Sequence, residues 1–156
     1  MNPTNDLPQV KLLADGMLGR LARWLRILGY DTVYARDADD DELLRLARAQ
    51  DRVLLTADHG LAVRRGARIV LIEAQNLADQ LRQARSALGP PPRGALSRCV
   101  ACNGKLVRVD KSELAGRLPP YVLATHQEFH RCPDCGRVFW RGTHVERMQA
   151  MLNDSG

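Results

Sequence analysis

The sequence predicts an α/β fold: a small domain with a mostly parallel sheet flanked by helices, followed by a cysteine-bearing C-terminal unit. Three observations predict it. Short apolar runs alternate with segments of helical periodicity up to about residue 88, the stretch Gly89-Pro90-Pro91-Pro92-Arg93-Gly94 then breaks the pattern, and two C-x-x-C pairs lie beyond it. Units this short connect by right-handed crossovers, which make the strands parallel and cover both faces of the sheet. The chain divides into residues 9–88, a proline-rich linker over 89–97, and a cysteine unit over 98–153.

Residues 9–14 read as a first strand, and 16–28 carry Leu18, Leu21, Ala22, Leu25 and Leu28 at helical spacing, with Gly29 ending the helix. A second strand follows over 32–35. Residues 39–49 form a helix with Leu43, Leu44, Leu46 and Ala47 inward and acids at its dipole-favoured start. A third strand spans 52–56, a short helix 59–64, a fourth strand 68–72 and an amphipathic helix 76–87. Past the prolines, strands are expected at 105–109 and 128–132, and a short final helix contains Met148 and Leu152.

With 156 residues, 45% hydrophobic and 26% charged, the chain suits one globular domain plus a small appendage. No apolar run approaches the roughly 20 residues that span a bilayer, and residues 1–8 lack the regions of a signal peptide. The expectation is a cytoplasmic protein with no membrane partner. In a reducing compartment, closely paired cysteines hold metal rather than form disulfides.

Cys99 and Cys102, Cys132 and Cys135 are two C-x-x-C pairs with 29 residues between them. Two residues between ligands let a tight turn present both sulfurs to one tetrahedral ion. Gly104 and Gly136 close the two turns and Pro133 lies within the second. Four cysteines fill every tetrahedral position and leave none for an activated water, so the reading is a structural zinc ion in a zinc ribbon, with an iron–sulfur cluster or a redox pair as the alternatives. His126, His130 and His144 are then surface or nucleic-acid contacts rather than ligands.

Net charge is +5, from 23 Lys plus Arg against 18 Asp plus Glu, and only three of the basic residues are lysine. An arginine-dominated excess suits phosphate recognition, because a planar guanidinium grips two oxygens at once. A merely soluble basic surface is the plainer explanation.

Acids stand where three strands end. Asp15 follows the first, Asp58 the third, and Asp37, Asp39, Asp40, Asp41 and Glu42 follow the second. Ligands of open parallel sheets bind at those ends. Carboxylates gathered there repel unless a cation lies among them, and Mg²⁺ or Mn²⁺ prefers such oxygen donors. An ion of that kind activates water and neutralises a phosphodiester. Each acid taken singly also suits a helix cap. Thr56 and His59 are lesser candidates, for positioning water and substrate. Arg20, Arg23 and Arg26 recur at a spacing of three along one side of the first helix, either as a guide for a phosphate backbone or as a solvated face. No G-x-G-x-x-G or P-loop stands at a strand-to-helix turn.

The run LADGMLGRLARWLRILGYD over 13–31 resembles the opening signature of the mut-seven C-terminal RNase family, and RVLLTAD over 52–58 resembles a second part of it. The acidic start DDELL at 40–44 and the two cysteine pairs follow in matching order, so the resemblance extends over residues 11–152. It implies a PIN-like nuclease domain with a C-terminal zinc ribbon, and a metal-dependent ribonuclease that hydrolyses RNA phosphodiester bonds. Carried over by position, the catalytic acids holding Mg²⁺ or Mn²⁺ are Asp15, Asp41 and Asp58, with Asp40 nearly as good a match as Asp41 and Asp37 a further option. Arg20, Arg23 and Arg26 then bind substrate, a single-stranded or structured RNA, and the ribbon aids them. Ala57 stands where relatives usually carry an arginine, which removes one positive group from the substrate grip. The alternative function is a catalytically inactive RNA-binding adaptor. The sequence leaves the oligomeric state open, a homodimer included.

Overall fold

A computed structural model describes residues 10–154. Residues 1–8 and Gln9, at the head of the first predicted strand, lie outside the described residues. The first unit runs β1 (Lys11–Asp15), a 3-10 turn (Gly16–Leu18), α1 (Gly19–Leu28), β2 (Asp31–Ala35), α2 (Asp40–Ala49), β3 (Val53–Thr56), α3 (His59–Ala62), β4 (Ile69–Leu71) and α4 (Leu77–Leu88). All four strands are parallel, in the order β2-β1-β3-β4.

The period-two alternation of a strand sorts the core onto two faces. Leu12, Ala14 and Leu55 pack with Leu21, Leu25 and Leu81 from α1 and α4. Leu13 and Leu54 pack oppositely with Leu43, Leu44, Ala47 and Leu61 from α2 and α3. The first helix begins later than its periodicity suggests. Asp15 accepts the Met17 amide at 3.0 Å and tightens the first turn, so α geometry starts at Gly19.

Gly29 closes α1 at φ 107, and a Cβ there would lie 2.0 Å from the Gly94 carbonyl oxygen. Only glycine fits this conformation and this approach. The proline-rich stretch is therefore docked rather than free. Tyr30 Oη donates to the Gly89 carbonyl at 2.5 Å, and the Leu96 amide donates to that of Ile27 at 3.3 Å.

The second unit has an antiparallel sheet β5 (Val107–Val109), β6 (Phe129–Arg131), β7 (Val138–Trp140) and a helix α5 (Pro120–Thr125) over a core of Leu114, Val122 and Phe129. Sequence reading missed β7 and α5. Three residues are too few to show alternation, and the prolines at 119 and 120 read as breakers although proline suits a first helical turn.

The closing helix α6 (Thr143–Asp154) departs from expectation in length and in allegiance. It has 12 residues, and Leu152 lies buried with Leu25, Leu81 and Leu88 in the first unit's core, against which Met148 also packs. Its apolar side thus packs on the first unit although it follows the cysteine unit in sequence. Among the described residues no helix is long and apolar enough to cross a membrane.

Candidate active site and metal centre

The two cysteine turns fold alike. The Asn103 amide donates to the Cys99 carbonyl at 2.9 Å and the Gly136 amide to that of Cys132 at 2.7 Å. The Cys99 amide donates to Gly104 at 2.8 Å and the Cys132 amide to Arg137 at 2.9 Å. A Cβ on Gly104 would lie 2.9 Å from Cys132 Sγ, so the first turn has no room for a side chain there. Cys99 and Cys135 sulfurs are 3.6 Å apart, those of Cys102 and Cys132 3.5 Å, and all four lie within 4.8 Å of one another. Tetrahedral zinc with bonds of about 2.3 Å sets sulfurs about 3.8 Å apart, so the set fits a closed structural site. Burial pushes the Cys99 thiol up to about 12, whereas the hydrogen bond from the Arg137 amide draws Cys135 down to about 6. A bound cation favours the thiolate at every position.

At the C-terminal edge of the parallel sheet, one hydroxyl joins two strand ends. Thr56 Oγ1 donates a short hydrogen bond to Asp15 Oδ2 and accepts the Asp58 amide at 3.0 Å. Asp15 is buried, and its other oxygen holds the Met17 amide. Asp58 Oδ1 caps α3 by accepting the Gly60 and Leu61 amides at 2.7 and 3.2 Å. Asp39 caps α2 through the Glu42 amide at 2.9 Å, leaving Asp40 and Asp41 in its first turn. Asp41 Oδ1 pairs with Arg64 Nη2 at 2.7 Å, and that hydrogen bond with its charge lowers the Asp41 pKa.

Among the described residues, the four cysteines are the one set of three or more metal-type side chains with ligand atoms within 4.8 Å; Asp15, Asp41 and Asp58 do not form such a set. Their chemistry is nevertheless that of hard oxygen donors. Magnesium commonly takes only one or two carboxylates and leaves the rest of its shell to water and phosphate. Asp15 and Asp58, linked through Thr56, supply two carboxylates at one edge of the sheet.

The three arginines of α1 divide. Arg20 and Arg23 are exposed. Arg26 instead sends Nε to the Thr32 carbonyl at 2.8 Å and Nη1 to that of Val100 at 3.0 Å, joining β2 to the first cysteine turn. Asn103 and Asp31 strengthen this joint. Asn103 Oδ1 accepts the Thr32 amide at 2.9 Å and its Nδ2 donates to Asp31 Oδ1 at 2.7 Å; Arg52 pairs with the same carboxylate at 2.8 Å. Sequence reading passed over Asn103, Arg64 and Tyr34, since a turn asparagine, a loop arginine and a strand tyrosine carry no pattern of their own. His59 opens α3 and is exposed, and His144 stacks edge-on against Trp24 at 5.7 Å.

The model of the Mut7-C RNase domain matches residues 10–152, nearly the whole chain. The chain belongs to the Mut7-C RNase domain family. No curated protein and no solved structure matches it at a significant level. Membership in the Mut7-C family points to a nuclease-like role with RNA as the substrate.

Proposed function

We propose that this Mut7-C chain is a ribonuclease that hydrolyses RNA phosphodiester bonds, with Mg²⁺ or Mn²⁺ held by Asp15, Asp58 and one acid from the start of α2, Asp41 or its neighbour Asp40. The observation that carries the reading is the buried Thr56 hydroxyl between Asp15 and Asp58, at the sheet edge of a chain in an RNase family. Such an ion, when bound, activates water and offsets the charge developing on the phosphodiester.

The protein's own groups prepare the site. Thr56 holds Asp15 in one orientation, and Asp15 keeps that orientation because the Met17 amide occupies its second oxygen. The Arg64–Asp41 pair is solvent-exposed, so Asp41 exchanges its guanidinium partner for a cation at little cost. Arg20 and Arg23 offer a phosphate backbone two exposed guanidinium groups on the helix that follows Asp15. The cysteine unit, closed by zinc, adds the exposed guanidinium groups of Arg108 and Arg137. A cytoplasmic setting keeps the four thiols available to the ion.

The test is cleavage of end-labelled single-stranded RNA by purified protein, with Mn²⁺ or with a chelator, beside the Asp15→Asn/Asp58→Asn double variant. Metal-dependent cutting that the variant loses supports the hydrolase. Tight binding without cutting in any metal moves the assignment to an RNA-binding adaptor, which the capping roles of Asp15 and Asp58 would then explain.

A further inference from the structure

An open cleft of about 340 Å³ lies between α1 and the cysteine unit, walled in part by Arg23, Tyr34, Ala101, Arg137 and Phe139. Its aromatic wall is unusual. Along β7, Val138 and Trp140 pack onto the second unit's core, so alternation turns Phe139 the other way, into the cleft and half-exposed. Tyr34 lies at the opposite end, where its hydroxyl donates to the Gly16 carbonyl at 2.9 Å, one residue past Asp15. The cleft therefore runs between the turn that follows Asp15 and the first cysteine turn.

Its charge is cationic. Arg23 and Arg137 are exposed, and Arg26 is drawn aside to the Val100 and Ala101 carbonyls, at 3.0 and 3.4 Å. Arginines beside an aromatic face are the equipment of single-strand recognition, in which phosphates meet guanidinium and an unstacked base lies on a ring. The volume stands near the lower bound of small-ligand sites, about 300 Å³, which suits one nucleotide.

We propose that this cleft takes one unstacked nucleotide of single-stranded RNA, its base against Phe139 and its phosphates on Arg23 and Arg137. The inference rests on the reading of this chain as an RNA-acting protein and adds strand selectivity to it. Because every base has a π face, the cleft selects unpaired RNA without selecting sequence.

Phe139→Leu tests it, since leucine stays apolar and removes the aromatic face. Fluorescence anisotropy with a labelled single-stranded oligonucleotide, without added Mg²⁺ or Mn²⁺, is expected to show affinity about 5- to 100-fold weaker than the unaltered protein. A matching duplex is expected to bind more weakly and to be indifferent to the substitution. Arg23→Gln is expected to reduce the salt dependence of single-strand binding by about one phosphate contact. Zinc content and melting temperature, measured on both variants, establish that each is folded. Unchanged single-strand affinity in folded Phe139→Leu overturns the proposal, as does a duplex that binds as tightly as the single strand. Cleavage is scored separately. Phe139-dependent binding without cleavage leaves the cleft standing and removes the hydrolase; cleavage with Phe139-indifferent binding does the reverse.

Discussion

Asn103, in the turn of the first cysteine pair, accepts the backbone amide of Thr32 at 2.9 Å and so completes the open edge of a strand in the other unit. Thr32 lies on β2, the outermost strand, and Arg26 satisfies its carbonyl at 2.8 Å. An exposed edge invites pairing with other chains, and here both edge groups of Thr32 are taken internally.

Asn103→Ala should therefore destabilise the first unit as well as the turn that contains it. Thr32 is fully buried, so its amide would lose a partner with no water to replace it, at a cost of about 1–3 kcal/mol. Urea unfolding followed by tryptophan fluorescence, with zinc content unchanged, is the measurement.

Zinc removal should reach beyond the cysteines. Val100 and Asn103, which hold Arg26 and Thr32, lie between or beside the ligands Cys99 and Cys102. Chelation is expected to speed hydrogen exchange in residues 31–35 together with 98–105. Exchange that rises only in the cysteine unit would show that the joint does not depend on the metal.

Asp31 sets an acid limit on the same joint. Burial by itself raises its pKa, but the hydrogen bonds from Arg52 and Asn103 and the charges of Arg52 and Arg98 outweigh that and hold it below the usual carboxylate range. A depressed folded pKa contributes stability that is fully present above the unfolded value of about 3.9 and is lost as pH falls through the folded value. Asp31→Asn should be less stable than the unaltered protein at pH 7, and the gap should narrow below about pH 4, as read from urea midpoints.

Thr56→Val keeps the side-chain volume and removes the hydroxyl between Asp15 and Asp58. Cleavage should fall by about 10- to 100-fold, with higher Mn²⁺ recovering part of it, because Asp15 keeps its charge but loses its fixed orientation. Asp15→Asn should fall further and recover nothing. Equal losses at every metal concentration would assign Thr56 a purely structural part.

Arg64→Ala should raise apparent Mn²⁺ affinity if Asp41 is the ligand from α2, since it frees the carboxylate now paired at 2.7 Å. Comparing Asp40→Asn with Asp41→Asn in metal titrations of cleavage then assigns the third acid. No change on freeing Asp41 would favour Asp40.

The parallel sheet and its helices were legible because Leu12, Leu13, Leu21 and Leu25 repeat at strand and helix periods, and burial follows those periods closely. The cysteine set was legible because its spacing leaves one geometry. The acids were legible as residues but not in their arrangement, since Asp15, Asp39 and Asp58 occupy positions that suit a helix cap and a ligand equally well. Arg26 shared the spacing of Arg20 and Arg23, yet its guanidinium joins the two units. That outcome depends on Val100, 74 residues away, which local periodicity does not register.

The return of α6 makes the cysteine unit an insertion in connectivity rather than a tail. The chain leaves the first core at Leu88 and re-enters it at Met148 and Leu152, so the intervening stretch hangs between two helices that touch. On the ribosome, the apolar surface of Leu25 and Leu81 thus stays open after Leu88 until Met148 and Leu152 follow. Cutting the gene after α4 would yield an unfinished core instead of a minimal domain.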